Sequence, residues 1–568
     1  MAVAGLLPDH WGVALEAAER TVRRQAAYEW WGTPLHSMVL GRLAVTDQAA
    51  APRNFRPADR GRGREILRSR MALAGALLDL RQDPNPWDTP SPSRRFAEAL
   101  HRFVWMKDLL VLGDDGAREA LRLTLMWERT FGRWSPFAWS GEVLGRRVYE
   151  LACALRRLSA VASEEERVVL LSSLARQADH LARLEEDPAR AAENACAASV
   201  AGLALSGPGA DRTALRALTR LATALPVTVL PDGGHRTRSP QAALELLLDL
   251  LTLDDVLLQR GREAPVPVSR AIDRLGAAVR FFTLGDGRLA CFQGGEASDP
   301  SRIDIARVHE DAELKPFGFA PHSRYQRLAG RKIQAIADAG PPATGPWSLA
   351  ACAQPLAFEV TGGEDRLITN GGWSPDANGP QALRLAAAGS TIGLGEDSPG
   401  ELLSTWAART LGTRLVNGAG RVDARRNESV GGVWIELAHD GWVRRYAVAH
   451  ERRLFLDAQT DELRGEDRLA PVAGGPAAVV PFVARFHLHP ETAAAVQPDG
   501  RSVVLTGASG ARWWFRNDAA DVVLEPSVHF VDGAPQRTEQ IVLRGTVRGD
   551  GGARVRWKLA PGDGRSTP

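Results

Sequence analysis

The chain predicts a multidomain α and β protein, a helical array followed by a large antiparallel β-sandwich, on three observations. Its 568 residues exceed what one core usually holds, so two or more domains are expected. The first half carries apolar residues at helical spacing, as in Leu170, Leu171, Leu174, Ala178 and Leu181. After His322 the pattern changes to short strand-like runs broken by Gly, Asp, Asn and Pro. The expected domains are a helical one over 1–320, a sandwich over 321–560 and a disordered tail over 561–568.

Within the helical part the spacing predicts helices over Gly63–Asp79, Ser93–Leu112, Asp115–Phe131, Gly141–Leu158, Ser163–Leu184, Ala191–Leu205, Asp211–Leu221, Pro240–Arg260 and Val268–Phe282. Amphipathic helices joined by short loops stack as hairpins. Strands are predicted over Leu356–Val360, Arg366–Thr369, Ser390–Leu394, Gly432–Ala438, Val443–His450, Arg453–Gln459, Ala478–Leu488, Ser502–Thr506, Ala511–Arg516, Val522–Glu525, Thr538–Arg544 and Ala553–Leu559.

A net charge of +2 with interleaved acids and bases excludes the basic stripe of a nucleic-acid binder. Cys153, Cys196, Cys291 and Cys352 form no CxxC pair and read as buried small residues. No apolar run reaches the roughly 20 residues of a membrane span. The apolar run at the N-terminus is cut by Asp9 and His10, so no signal peptide is expected. A cytoplasmic location follows, or the periplasm or envelope if the start is mis-assigned.

The stretch with most chemistry is Pro231–Pro240. Asp232, Gly233 and Gly234 make a turn, and Ser239 before Pro240 caps a Leu-rich helix. His235, Arg236 and Arg238 are thereby held at a helix mouth, which suits a carboxylate or sulfated sugar. Aromatic residues punctuate the helical half, and Trp134 and Trp139 flank Pro136 in a segment that reads as a rim on which sugars stack, with core packing as the alternative.

A helical array before a sandwich, with Asp232-Gly233-Gly234-His235 opening the Leu-rich helix, resembles the heparinase II/III family of polysaccharide lyases, in its proteobacterial branch. Arg190–Leu205, Gly389-Ser390-Thr391-Ile392, His450–Phe455, Leu463–Arg468 and Arg485–Pro490 carry the same resemblance. It implies an incomplete α/α toroid with a substrate canyon ahead of the β-sandwich. It also implies β-elimination: a base takes the C5 proton of a uronate, a donor neutralises the carboxylate, and an acid protonates the leaving oxygen. Departures are marked. Ala189-Arg190 stand where the family commonly has Asn-His, Ala242 where it has the catalytic Tyr, and Gly389 and Cys352 where it has His.

On that basis His235 is the leading catalytic candidate, with Tyr325, Tyr446 and His450 as replacements for the lost groups. Arg190, Glu193, Arg236, Arg238, Trp134 and Trp139 are candidate substrate contacts, Arg190 and Glu193 being one turn apart on a helix. His450 with the Arg464–Arg468 charges reads either as a site or as a salt-bridge network. His487 and His489 share a strand face and are weak candidates for a structural divalent metal; no other cofactor is expected. The expected function is cleavage of an acidic, glycosaminoglycan-like polysaccharide or oligosaccharide. The rival is a non-catalytic glycan-binding or envelope-assembly protein on a degenerate lyase scaffold; a hydrolase using Glu193 lacks a partner carboxylate. The oligomeric state is left open.

Overall fold

The computed structural model describes residues 9–41, 45–184, 187–308, 316–377, 379–472, 479–548 and 551–562. The last of the tail expected at the C-terminus, 563–568, lies outside the described residues, and Pro561 ends a strand. The chain forms two compact units: Met1–Val229 with Glu245–Asp273 and Ser404–Gly412, and Leu230–Leu244 with Arg274–Leu403 and Thr413–Pro568.

The first unit is built of helices. Helix Glu164–Arg183 starts at a capping box, Ser163 and Glu166 each accepting from the other's backbone N–H, and packs against Gly141–Ser159 and Ala191–Ala204. Helix Ala191–Ala204 is mostly small residues, which permits close approach. A Cβ on Gly202 would sit 2.7 Å from the Ala214 nitrogen of helix Pro208–Thr228. The helix predicted over Gly63–Asp79 is shorter than expected. It runs Arg60–Leu67 on an Asp59 cap and gives way to the hairpin Arg70–Leu73/Ala76–Asp79. Left-handed Ser69, Ala74 and Gly75 turn the chain there, which periodicity does not report.

Among the described residues the second unit holds two large antiparallel sheets and a two-stranded one, Glu401–Leu402 with Leu415–Val416. One has nine strands, in the order Val522–Val531, Ala534–Val547, Val480–Leu488, Asp365–Thr369, Phe358–Gly362, Ile333–Asp338, Tyr325–Ala329 and Phe319–Ala320, with Ile392–Leu394 added on Val480–Leu488. The other has eight, Val422–Ser429, Gly432–His439, Val448–Asp457, Leu463–Pro471, Ala553–Pro561, Arg512–Asn517, Ser502–Thr506 and Ala493–Val496. Alternation sends Leu454, Phe486, Phe515 and Trp557 into one core, where Trp557 stacks on Phe358 at 5.2 Å. The strand predicted over Val443–His450 begins only at Val448. Val443–Tyr446 is a short helix behind buried Trp442, and left-handed Ala447 ends it.

Candidate functional site

The Pro231–Pro240 loop is a built turn. Asp232 accepts from the backbone N–H of Gly234, His322 and Ser323, which ties the loop to the turn between strands Phe319–Ala320 and Tyr325–Ala329. Gly233 has φ +86°, and a Cβ there would lie 1.8 Å from the Arg274 carbonyl, so only glycine fits. His235 is buried; its Nδ1 accepts from the Thr237 hydroxyl at 2.7 Å and the Thr237 N–H at 3.2 Å. A neutral ring accepting at Nδ1 carries its proton on Nε2 and is a donor there. Trp347 meets His235 edge-to-face at 6.0 Å, and the exposed Arg236 lies 5.7 Å over the same indole.

Arg238 turns the other way, through a left-handed backbone. Its guanidinium pairs with buried Asp338 at 2.5 Å and donates to the carbonyls of Ser323, Arg324, Gly340 and Pro341. The Tyr325 ring lies 4.7 Å from it, and the Tyr325 hydroxyl, wholly buried, donates to the Arg238 carbonyl at 2.8 Å. Burial pushes the Tyr325 phenol far above its usual range. The loop therefore presents Arg236 outward and spends Arg238 on holding itself.

His450 sits inside the sandwich because Val448–Asp457 alternates and puts His450, Arg452 and Leu454 on the inner face. Its ring bonds His439 at 3.2 Å and Asp467 at 2.9 Å. Asp467 also takes Arg452 Nε at 2.7 Å and the Trp557 N–H at 3.1 Å. Burial opposes ionising Asp467, but Arg452 and His450 outweigh it and hold its carboxyl below the usual range. Burial holds His450 below the usual imidazole value. Of the charged run Leu463–Arg468, Asp467 points in while Arg464 and Arg468 point out. The half-buried Tyr446 gives its hydroxyl to Asp397, which also pairs with Arg445.

His487 uses both nitrogens, Nδ1 with the Ser527 hydroxyl at 2.7 Å and Nε2 with the Ala387 carbonyl at 3.1 Å. His489 lies past the strand end and packs on His529 at 5.3 Å. Among the described residues no group of three His, Cys, Asp or Glu is placed to hold a metal ion, and no helix is long and apolar enough to cross a membrane.

In the helical unit, Arg190 bonds Glu142 at 3.3 Å in the first turn of helix Gly141–Ser159, and holds that carboxyl below its usual range. Glu193 is half-buried in the first turn of Ala191–Ala204. Trp134 packs on Tyr28 and Trp31 at 5.2 and 5.9 Å, and buried Trp139 donates to the Phe131 carbonyl. The sequence reading missed a larger polar cluster in this unit. Arg56 lies 2.8 Å from both Glu245 and Asp249, Arg146 pairs with Asp249 at 3.0 Å, and both guanidiniums lie against Tyr149. Neighbouring Glu150 accepts from Asn54, and burial pushes its carboxyl up to about 7. The available signal was the acids inside a leucine run, Glu245 and Asp249, four residues apart and so on one helix face.

The chain matches the family model described as Heparinase II/III-like, C-terminal, over residues 312–558. It is 48% identical over 559 residues to FtsZ-localized protein C of Caulobacter vibrioides (strain NA1000 / CB15N), covering 97% of each chain. The chain belongs to the heparinase II/III-like family. Among solved structures it is similar to heparinase III, with a TM-score of 0.70 at 13% identity over 96% of this chain and 90% of that one. Heparan sulfate lyase HepC from Pedobacter heparinus matches at 0.55 and 15% identity over 92% and 87%. These likenesses give the fold, a helical toroid followed by a β-sandwich.

The departures from the heparinase II/III pattern have a structural counterpart. A Cβ on Gly389 would lie 2.9 to 3.0 Å from three side-chain atoms of Gln354, whose amide donates to the Leu383 and Leu385 carbonyls. Gln354 thus fills the space that a histidine at 389 would need. Cys352 is buried, and burial pushes its thiol up to about 11, so at neutral pH it is an inert thiol and not a proton carrier. Ala242 gives only its N–H, to the capping hydroxyl of Ser239.

Proposed function

We propose that this chain uses the heparinase II/III scaffold to bind an acidic, uronate-containing polysaccharide without cleaving it. The observation that carries this is the commitment of the proton-transfer candidates. The Tyr325 hydroxyl and the His450 ring are wholly buried and bonded within the protein, and a sugar proton cannot reach them. His235, with Nδ1 occupied by Thr237, is set as a donor at Nε2 and not as a base. The exposed Arg236 guanidinium, held over the buried Trp347 indole, suits a carboxylated sugar by supplying the charge. The relative 48% identical to this chain is named for localisation with FtsZ, and we propose that this chain shares that localisation and is itself cytoplasmic.

The test is absorbance in the ultraviolet band of an unsaturated uronate, with purified protein on heparan sulfate, hyaluronan and alginate, alongside calorimetry. Binding heat with no absorbance rise is the expected result. A rise abolished by His235→Ala would replace this reading with β-elimination. A fluorescent fusion spread evenly through the cell, apart from FtsZ, would overturn the localisation.

A further inference from the structure

The sandwich unit carries a cavity of about 450 Å³, within the ~300–1,000 Å³ typical of small-molecule sites. Its walls are fixed. The turn Gly285–Arg288 closes on itself through Leu284 N–H to the Arg288 carbonyl, and its Gly285 N–H is held by Thr361. A Cβ on Gly285 would lie 2.1 Å from the Gly363 carbonyl, so this turn packs directly on the hairpin that bears Glu364. Arg366 forms another wall, wholly buried, bonded to Glu359, Asp286 and the Leu289 and Arg288 carbonyls. Thr492 donates to the Arg366 carbonyl and fixes the loop that carries His489 and Glu491.

Arg366 and Asp286 are spent on each other. What remains for a ligand is a mixed set. The Arg288 guanidinium and the Glu364 carboxylate have no hydrogen bond or ion pair among the described residues. Among the described residues Glu491 bonds and pairs only with His489, whose Nδ1 accepts the Glu491 N–H. Burial, with His529 and Arg366 nearby, pushes His489 down to about 3, so the ring is neutral with its proton on Nε2. Counting one cation and two anions, the free charge facing the cavity is −1. The lining offers one apolar side chain, Pro300, so an apolar ligand has little to bury against.

We propose that this cavity is a binding site for an amino sugar, a pyranose with one ammonium and several hydroxyls. The ammonium meets Glu364 and Glu491, and the hydroxyls accept from Arg288 and His489 Nε2. The ligand's single positive charge closes the balance that the cavity leaves open. This site is independent of the polysaccharide reading, which requires a ligand of opposite charge.

The experiment is saturation-transfer NMR and calorimetry on the full chain with glucosamine, glucose and glucuronate. Glucosamine should bind best and glucuronate least. The Glu364→Gln/Glu491→Gln pair should weaken glucosamine about tenfold and erase its advantage over glucose, while Arg288→Ala should weaken both sugars. No transfer to any sugar, glucuronate binding best, or glucosamine unaffected by the double substitution would each overturn the proposal. Circular dichroism checks that the variants fold, as expected for side chains that are exposed or half-buried.

Discussion

The Pro231–Pro240 loop and the interior around His450 both pair a histidine with arginines, yet their physics differs. In the sandwich, strand alternation drives His450 and Arg452 into the core, so Asp467 must neutralise Arg452, and bond the His450 ring, where water cannot. In the loop, Arg238 is neutralised by Asp338 in the same manner, but Arg236 next to it stays exposed over Trp347. Residue type alone does not separate a structural network from a binding edge. What separates them is whether a counter-charge already occupies the cation.

The largest effect should come from Asp467→Ala. It leaves Arg452 buried without its partner, which costs about 3–5 kcal/mol and should appear as a large fall in the urea midpoint. A loss under about 1 kcal/mol would mean that water reaches the cluster, and the contrast with the loop would fail.

Acidification should come next, because Glu296 offsets part of what two buried histidines lose. Burial holds the His487 and His529 rings at about 4 in the folded protein, against 6.5 for an ordinary histidine. The unfolded chain therefore takes up those protons first. Stability is full above pH 6.5 and falls through the window to about 4, by roughly 1.4 kcal/mol per pH unit for each ring. Glu296 acts with the opposite sign, because burial raises its carboxyl from 4.5 to about 7 and its contribution is lost as pH rises between those values. Comparing wild type with His529→Gln isolates the share of that ring. An unchanged slope in the variant would show that the ring is hydrated.

The smallest change in stability belongs to Arg236→Ala, within about 0.5 kcal/mol. The same substitution should weaken heparan sulfate binding in calorimetry and flatten its dependence on salt. Loss of stability without loss of binding would place Arg236 with the structural arginines instead.

Much of the architecture was legible in local pattern. The stripe Leu170 to Leu181, the Ser163 cap and the alternation of Val448–Asp457 are short-range facts, set by helical and strand periods of a few residues. The Asp232-Gly233-Gly234 turn was legible too, since φ +86° with a carbonyl 1.8 Å from a would-be Cβ admits only glycine. Sequence alone gave no means of choosing between solvated and spent charges. Arg238 finds Asp338 one hundred residues away, and Arg56 finds Glu245 at a separation of 189. Left-handed Ser69 and Ala447, which end elements that periodicity would continue, were equally hidden. Periodicity is a property of neighbours along the chain, whereas burial and charge pairing belong to whatever the fold brings alongside. The sequence therefore determined the helices, the strands and the residues available for chemistry, and the tertiary structure decided which of them are left to do any.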